Sequence, residues 1–170
     1  MKIIAVIFVL ILFALGAGCS TVQSNIPTIP QTQTSVNDPK TISDSGISFI
    51  LTVDKMKFDI SQSNNNVHYL IVYITLKNIG NKAEGLDCFS TISDYGGMNS
   101  GGIGTGTAGV VYPGNSQSIH QGLLVYNQQY DAIMSKPSKL SVSCLSTDPF
   151  ATSYSKNLKA SWDVKPSDFQ

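Results

Sequence analysis

Arginine is absent: all eleven basic residues of this 170-residue chain are lysines, and they are balanced by eleven acidic ones to a formal net charge of zero. Without guanidinium groups there is no planar fork for phosphates or guanine edges, and a neutral chain lacks the electrostatic footprint of a nucleic-acid-binding protein. Nucleic acid is therefore not an expected partner. Charged residues make up only 13% of the chain, and there are two histidines and one tryptophan. No Gly-x-Ser-x-Gly elbow occurs, so the sharp turn that exposes a hydrolase serine is missing. Asp54, Asp59, Asp87 and Asp94 are scattered, and Asp87 and Asp94 flank a strand as turn acids do. No catalytic residue is assigned, and the chain is not expected to be an enzyme.

What is present points out of the cytoplasm. Hydrophobic residues reach 42%, enough for a packed core, and the remainder is rich in Ser, Thr, Asn, Gln and Gly. Lys2 precedes the apolar run Ile3 to Leu15, and Gly16-Ala-Gly18-Cys19-Ser20 follows it. This is the order of a secretory signal, and the uncharged part is shorter than the roughly 20 residues of a spanning helix. The run resembles the lipobox of prokaryotic lipoprotein signal peptides, with Ala17, Gly18 and Cys19 matching and Gly16 standing where that family usually has Leu. The resemblance implies that Cys19 is lipidated and becomes the new N-terminus. Simple secretion after Gly18 and retention as an uncleaved anchor are the alternatives. The expected location is the outer, extracytoplasmic face of the cell membrane, with the lipid on Cys19 as the membrane contact.

Three segments are expected: a signal peptide over 1–18, a lipid-anchored linker over 19–46 and a folded domain over 47–170. The linker carries Pro27, Pro30 and Pro39 among polar residues, and a flexible chain of that length averages roughly 30 Å end to end. In the domain, His68 to Asn81 is the longest β-branched and aromatic stretch beyond the signal. Its even positions Leu70, Val72, Ile74 and Leu76 are apolar, while its odd ones run from Tyr69, Ile71 and Tyr73 to Thr75 and Lys77, which predicts a central strand with one core face. Upstream, Phe49, Leu51 and Val53 alternate in one phase and Met56, Phe58 and Ile60 in the other, so a bulge or a switch between sheets is expected near Lys55. Further strands are predicted over Leu86–Ile92, Ser116–Tyr126, Lys139–Leu145 and Ser155–Val164, with a helical period only at Gln128–Ser135. Trp162 is expected in the core. This pattern predicts an all-β, antiparallel sandwich.

The order "Asn78-x-Gly80, Ser93-Asp-Tyr-Gly96, Pro113-Gly114, Gly122-Leu-Leu-Val-Tyr126, Leu140-x-Val142" resembles the exported immunoglobulin-like "domain of unknown function 4352" of the immunoprotective extracellular antigen superfamily, over about residues 47–164. The resemblance implies an immunoglobulin-like sandwich at the cell surface and carries over no catalytic residue.

If lipid takes Cys19, Cys88 and Cys144 remain as an even pair, both on apolar strand faces, and a disulfide between them is expected. Two buried free thiols are the alternative. Metal ligation by these cysteines with His68 or His120 fits no Cys/His zinc spacing, so no metal is expected. Gly104-x-Gly106-x-x-Gly109 has the form of a dinucleotide fingerprint, but Val110-Val-Tyr-Pro-Gly114 follows it where a helix N-terminus is needed; no cofactor is expected, and Gly101–Gly109 is read as a loop between strands. Tyr95 and Tyr112 beside it could add aromatic contact area. The functional expectation is a surface module binding another envelope protein or glycan; the alternatives are a structural or stress-protective lipoprotein without a dedicated ligand, and, more weakly, a metal or redox carrier.

Overall fold

The computed structural model describes residues 36–94, 99–101, 106–147 and 154–170. The signal segment, Cys19 and the linker as far as residue 35 lie outside them, as do Tyr95 and Gly104. The chain divides between Thr32 and Gln33, and everything below belongs to the second unit.

Among the described residues, nine strands form two antiparallel sheets. The first has the order β1 (Lys40–Asp44), β2 (Ile47–Asp59), β3 (Val67–Asn78) and β7 (Ser116–Tyr126). In the second, β4 (Glu84–Asp94) pairs on one side with β5 (Asn99–Gly101) and β6 (Gly106–Val111), and on the other with β8 (Ser138–Thr147), which pairs with β9 (Tyr154–Val164). A helix, α1 (Asn127–Ser135), carries the chain from β7 back to β8. Taking β2, β3 and β7 as strands A, B and E, and β4, β8 and β9 as C, F and G, this is the Greek-key order of an immunoglobulin-like sandwich.

The predicted central strand is β3, flanked by β2 and β7. Leu70, Val72, Ile74 and Leu76 are all completely buried, and each contributes about 2 kcal/mol when removed from water. A slip of one residue would turn them to solvent and bring tyrosines and a lysine inward, so the register is strongly specified. In β2 the expected phase change is a bulge: Val53 faces Ile74, yet Lys55 faces Tyr73. Phe49, Leu51 and Val53 are buried before it and Met56 after it.

Two expectations need correction. The linker does not run to residue 46, because Lys40–Asp44 pairs with β2 as β1, through a hairpin whose turn residues Ser45 and Gly46 both have positive φ. That is the primed geometry that follows strand twist. The polar, proline-bearing composition concealed it, since Ile42 is its one buried apolar residue. The glycine-rich stretch is likewise not all loop: Gly106–Val111 pairs with Glu84–Cys88. Gly106 and Gly109 thus lie in a strand, which excludes the helix start that a dinucleotide fingerprint needs.

Asn78 ends β3 and is 1% exposed. Its Nδ2 donates to the carbonyls of Lys82 (2.7 Å) and Val111 (2.8 Å), and its Oδ1 accepts from the Gly80 N–H (2.8 Å). Its backbone exchanges hydrogen bonds with Asn115 and Gly114. One residue therefore ties together the crossing from β3 to β4 and the end of β6 through its side chain, and the turn into β7 through its backbone. At the opposite edge, the buried Trp162 indole donates to the Asp38 carbonyl at 2.8 Å, holding the chain ahead of β1 against β9.

Cys88 and Cys144 form a disulfide. They face each other directly on β4 and β8, with Cα atoms 4.0 Å apart, and both are fully buried. Antibody domains place their bridge between sheets, joining strands B and F; this one lies within a sheet. Its sequence separation of 56 residues gives a chain-entropy stabilisation of about 4 kcal/mol.

Two measurements check these ties. Asn78→Ala takes the donor from the buried Val111 carbonyl and from the part-buried Lys82 carbonyl and should cost roughly 1–3 kcal/mol in urea unfolding followed by Trp162 fluorescence, whereas the exposed Asn81→Ala should change stability by less than about 0.5 kcal/mol. The double variant Cys88→Ala/Cys144→Ala should lose up to about 4 kcal/mol, and adding reductant to it should change nothing further.

Candidate binding face

The two outer faces differ. On the second sheet the outward residues of β8 and β9 are mainly Ser, Lys and Asn, with Ser141 and Ser161 hydroxyls 3.1 Å apart. On the first sheet the outward positions of β3 are Tyr69, Ile71 and Tyr73, all half-buried. Register places Tyr73 opposite Lys55 on one side and His120 on the other, and Ile71 between Lys57 and Gly122. Lys57 Nζ sits 6.0 Å from the Tyr73 ring centre, and the His120 ring lies 6.0 Å from it on the β7 side. The result is a row of cation, aromatic and imidazole across three strands. Lys55 and Lys57 face outward because the bulge reverses the phase of β2; unbroken alternation would have sent odd residues into the core.

Tyr69 completes the face. A methyl group on Gly122 would fall 1.8 Å from its hydroxyl oxygen and 2.2 Å from Cζ. The phenol end thus occupies the space where β7 lacks a side chain, and the ring lies down along the sheet, a pairing of aromatic and glycine known from other sheets. Below this row, Thr75 donates to Asp54 at 2.7 Å and contacts Ser118 at 2.9 Å.

No binding role was legible in the sequence for Lys57, Tyr69, Tyr73 or Gly122. Tyr69 and Tyr73 were visible as outward positions of a strand; their partners depend on cross-strand register, which local patterning does not reveal.

His68 and His120 lie on different faces. His68 stacks on Tyr130 of α1 with ring centres 3.8 Å apart, and Phe58 and Phe169 close the same cluster at that end of the sandwich. Both cysteine sulfurs are committed to the disulfide, which leaves neither as a thiolate ligand. Among the described residues there is no grouping of three or more His, Cys, Asp or Glu side chains suited to a metal. Tyr112 is well exposed beyond β6. A cleft of about 330 Å³ runs beside the row, lined by Gly106, Thr107 and Gln117 to His120. A second, of about 210 Å³, opens at the bulge between Asn37, Asp54, Lys55 and Asp168. Both are polar, unlike the apolar pockets of small-molecule sites.

No protein-family model matches the chain, and no curated protein does. Among solved structures it is similar to ApaA from Bordetella pertussis (9% identity, 73% of this chain and 98% of that one, TM-score 0.45). It is also similar to a β-sandwich protein from Clostridium difficile 630 (12% identity, 77% and 93%, TM-score 0.44). A β-glucosidase from Kluyveromyces marxianus matches over 72% of this chain but 15% of its own length, at 13% identity and a TM-score of 0.38. With TM-scores below 0.5, none of these likenesses bears on function.

At the turn that leaves β2, Ser61 donates to Asp59 Oδ1 from both its hydroxyl (2.7 Å) and its N–H (3.0 Å). These bonds, the hydroxyl's first, hold the Asp59 carboxyl below the ordinary carboxylate value. A depressed folded-state pKa stabilises the turn above the unfolded value, and that contribution is lost as pH falls through the folded one. Ser61→Ala should raise the Asp59 midpoint towards the ordinary carboxylate value in a carboxyl-carbon NMR titration; an unchanged midpoint would assign the depression to another group.

Proposed function

We propose that this chain is an exported lipoprotein whose β-sandwich is held at the outer face of the cell membrane by Cys19 and binds another component of the envelope. The observation that carries the reading is the cysteine pairing. Cys88 and Cys144 are joined inside the core, and the one cysteine left over stands directly behind the apolar N-terminal run and its small residues. A structural disulfide fits an oxidising compartment. Two acyl chains on one cysteine give stable membrane attachment where a single chain is marginal. The resemblance of residues 47–164 to the exported immunoglobulin-like domain family supports the same reading, as does the outer face of the first sheet, where aromatic rings and ammonium groups stand together as on a contact surface.

Mass spectrometry of the membrane-extracted protein tests the anchor. The expected species begins at Cys19 and carries the mass of a diacylglycerol thioether, and Cys19→Ser should move the protein from the membrane fraction to the soluble one. A chain that starts at Met1 with an unmodified Cys19 overturns the proposal.

A further inference from the structure

We propose that the outer face of the first sheet is a stacking platform for a polysaccharide whose sugars carry carboxylates, with Tyr69 as the stacking ring and Lys55 and Lys57 as the ions that meet the acid groups. The proposal rests on the envelope-module reading and names the partner's chemistry.

The shape of the surface comes first. Tyr69 is pressed along the sheet by the missing side chain at Gly122, so one π-face is turned to the backbone and the other outward. A recumbent ring presents a flat, electron-rich surface to which the polarised C–H bonds on one face of a pyranose are complementary. Protein partners are held instead by protruding side chains that enter desolvated pockets, and this face is a flat strand surface. Membrane surfaces are met by apolar residues that project, whereas Ile71 at the centre of the face is half-buried.

Charge narrows the sugar class. The formal net charge is zero, yet around Tyr73 the outward groups are Lys55, Lys57 and His120. Two carboxylates flank the lysines: Asp54, which accepts from Thr75, and Asp59, which accepts from Ser61 and feels the Lys57 charge; both lie on β2, on the side of the row away from Gly122. An ammonium 6.0 Å from the Tyr73 ring centre is within cation–π range, and its residue, Lys57, faces Ile71, midway along β3 between Tyr69 and Tyr73. A sugar seated on Tyr69 can therefore turn a ring carboxylate towards Lys57. Lysine suits this role, since its ammonium is a compact point charge on a mobile stem that follows an irregular chain.

The experiment is affinity electrophoresis of the full-length protein in detergent through gels containing polygalacturonate, with neutral dextran as the comparison. Retardation by polygalacturonate and not by dextran is expected, weakening as salt is raised. Tyr69→Ala and Lys57→Ala should each reduce affinity about tenfold, and Tyr69→Phe should retain it because the ring face is kept. Phe89→Ala, an exposed aromatic on the other sheet, should leave it unchanged, which ties the effect to this face, and circular dichroism of Tyr69→Ala and Lys57→Ala that matches the parent protein shows that their loss of binding is not loss of fold. Equal retardation by dextran, no retardation at all, or equal loss in Phe89→Ala overturns the proposal. So does sedimentation with anionic phospholipid vesicles that depends on Tyr69 and Lys57 when polygalacturonate does not bind, because the face then serves a lipid surface. If Cys19 carries lipid and polygalacturonate is not bound, the platform fails while the anchored module stands. If Cys19 is unmodified, the anchor fails whatever the gels show.

Discussion

Both passages of the chain from one sheet to the other at one end of the sandwich run past the same buried amide. The β3–β4 connection and the β6–β7 turn each present backbone groups to this side chain or its backbone, and the Val111 carbonyl among them is buried, where an unpaired polar atom is costly. Asn78 meets them with three side-chain and two backbone hydrogen bonds. Asparagine is suited to this because its amide presents donors and an acceptor on one short stem. An aspartate of the same shape would bring no donor to the two carbonyls and would add a buried charge. The register of β3 against β2 and β7, and so the position of every side chain on the outer face, is pinned at this end.

From that fixed end the bulge in β2 decides what the outer face contains. Before Val53 the strand sends its odd residues inward; after Lys55 the even ones go in. The extra residue is Asp54, which hydrogen-bonds to Thr75 on the neighbouring strand. Bulges are used to re-aim side chains, and here the re-aiming places Lys55 and Lys57 beside Tyr73 while Met56 replaces them in the core.

How far the sequence foretold this depends on whether a feature is local. Alternation along β3, the slip near Lys55, the burial of Trp162 and the apolar phase of Cys88 and Cys144 are all properties of one strand at a time, and they were legible. β1 and β6 were not, for opposite reasons. β1 has a single buried apolar residue, so it has almost no period to detect. β6 is built on glycine, which weakens strands, yet Gly106 is closely packed: a Cβ there would come within 3.0–3.2 Å of Ile119, His120 and Gln121 on the facing strand, which would have to give way by a few tenths of an ångström. The buried hydrogen bond from Ser90 to Gln121, which links the two sheets, was also missed, since a polar residue on an apolar face looks like a break in pattern until its partner is known.

The binding face lies between these cases. Its tyrosines follow from strand parity, but the posture of Tyr69 follows from a glycine more than fifty positions away that register alone brings alongside. Were a β-branched residue at 122, as strand propensity would favour, the phenol would be pushed upright and flanked on both sides, and only its edge would reach solvent. A glycine in an otherwise apolar strand, Gly122-Leu-Leu-Val, is thus a loss to β7 that the neighbouring ring makes good by covering it. The ring that repairs the strand is also left with one broad face exposed, so the same contact that stabilises the sheet creates a surface on which something flat can rest.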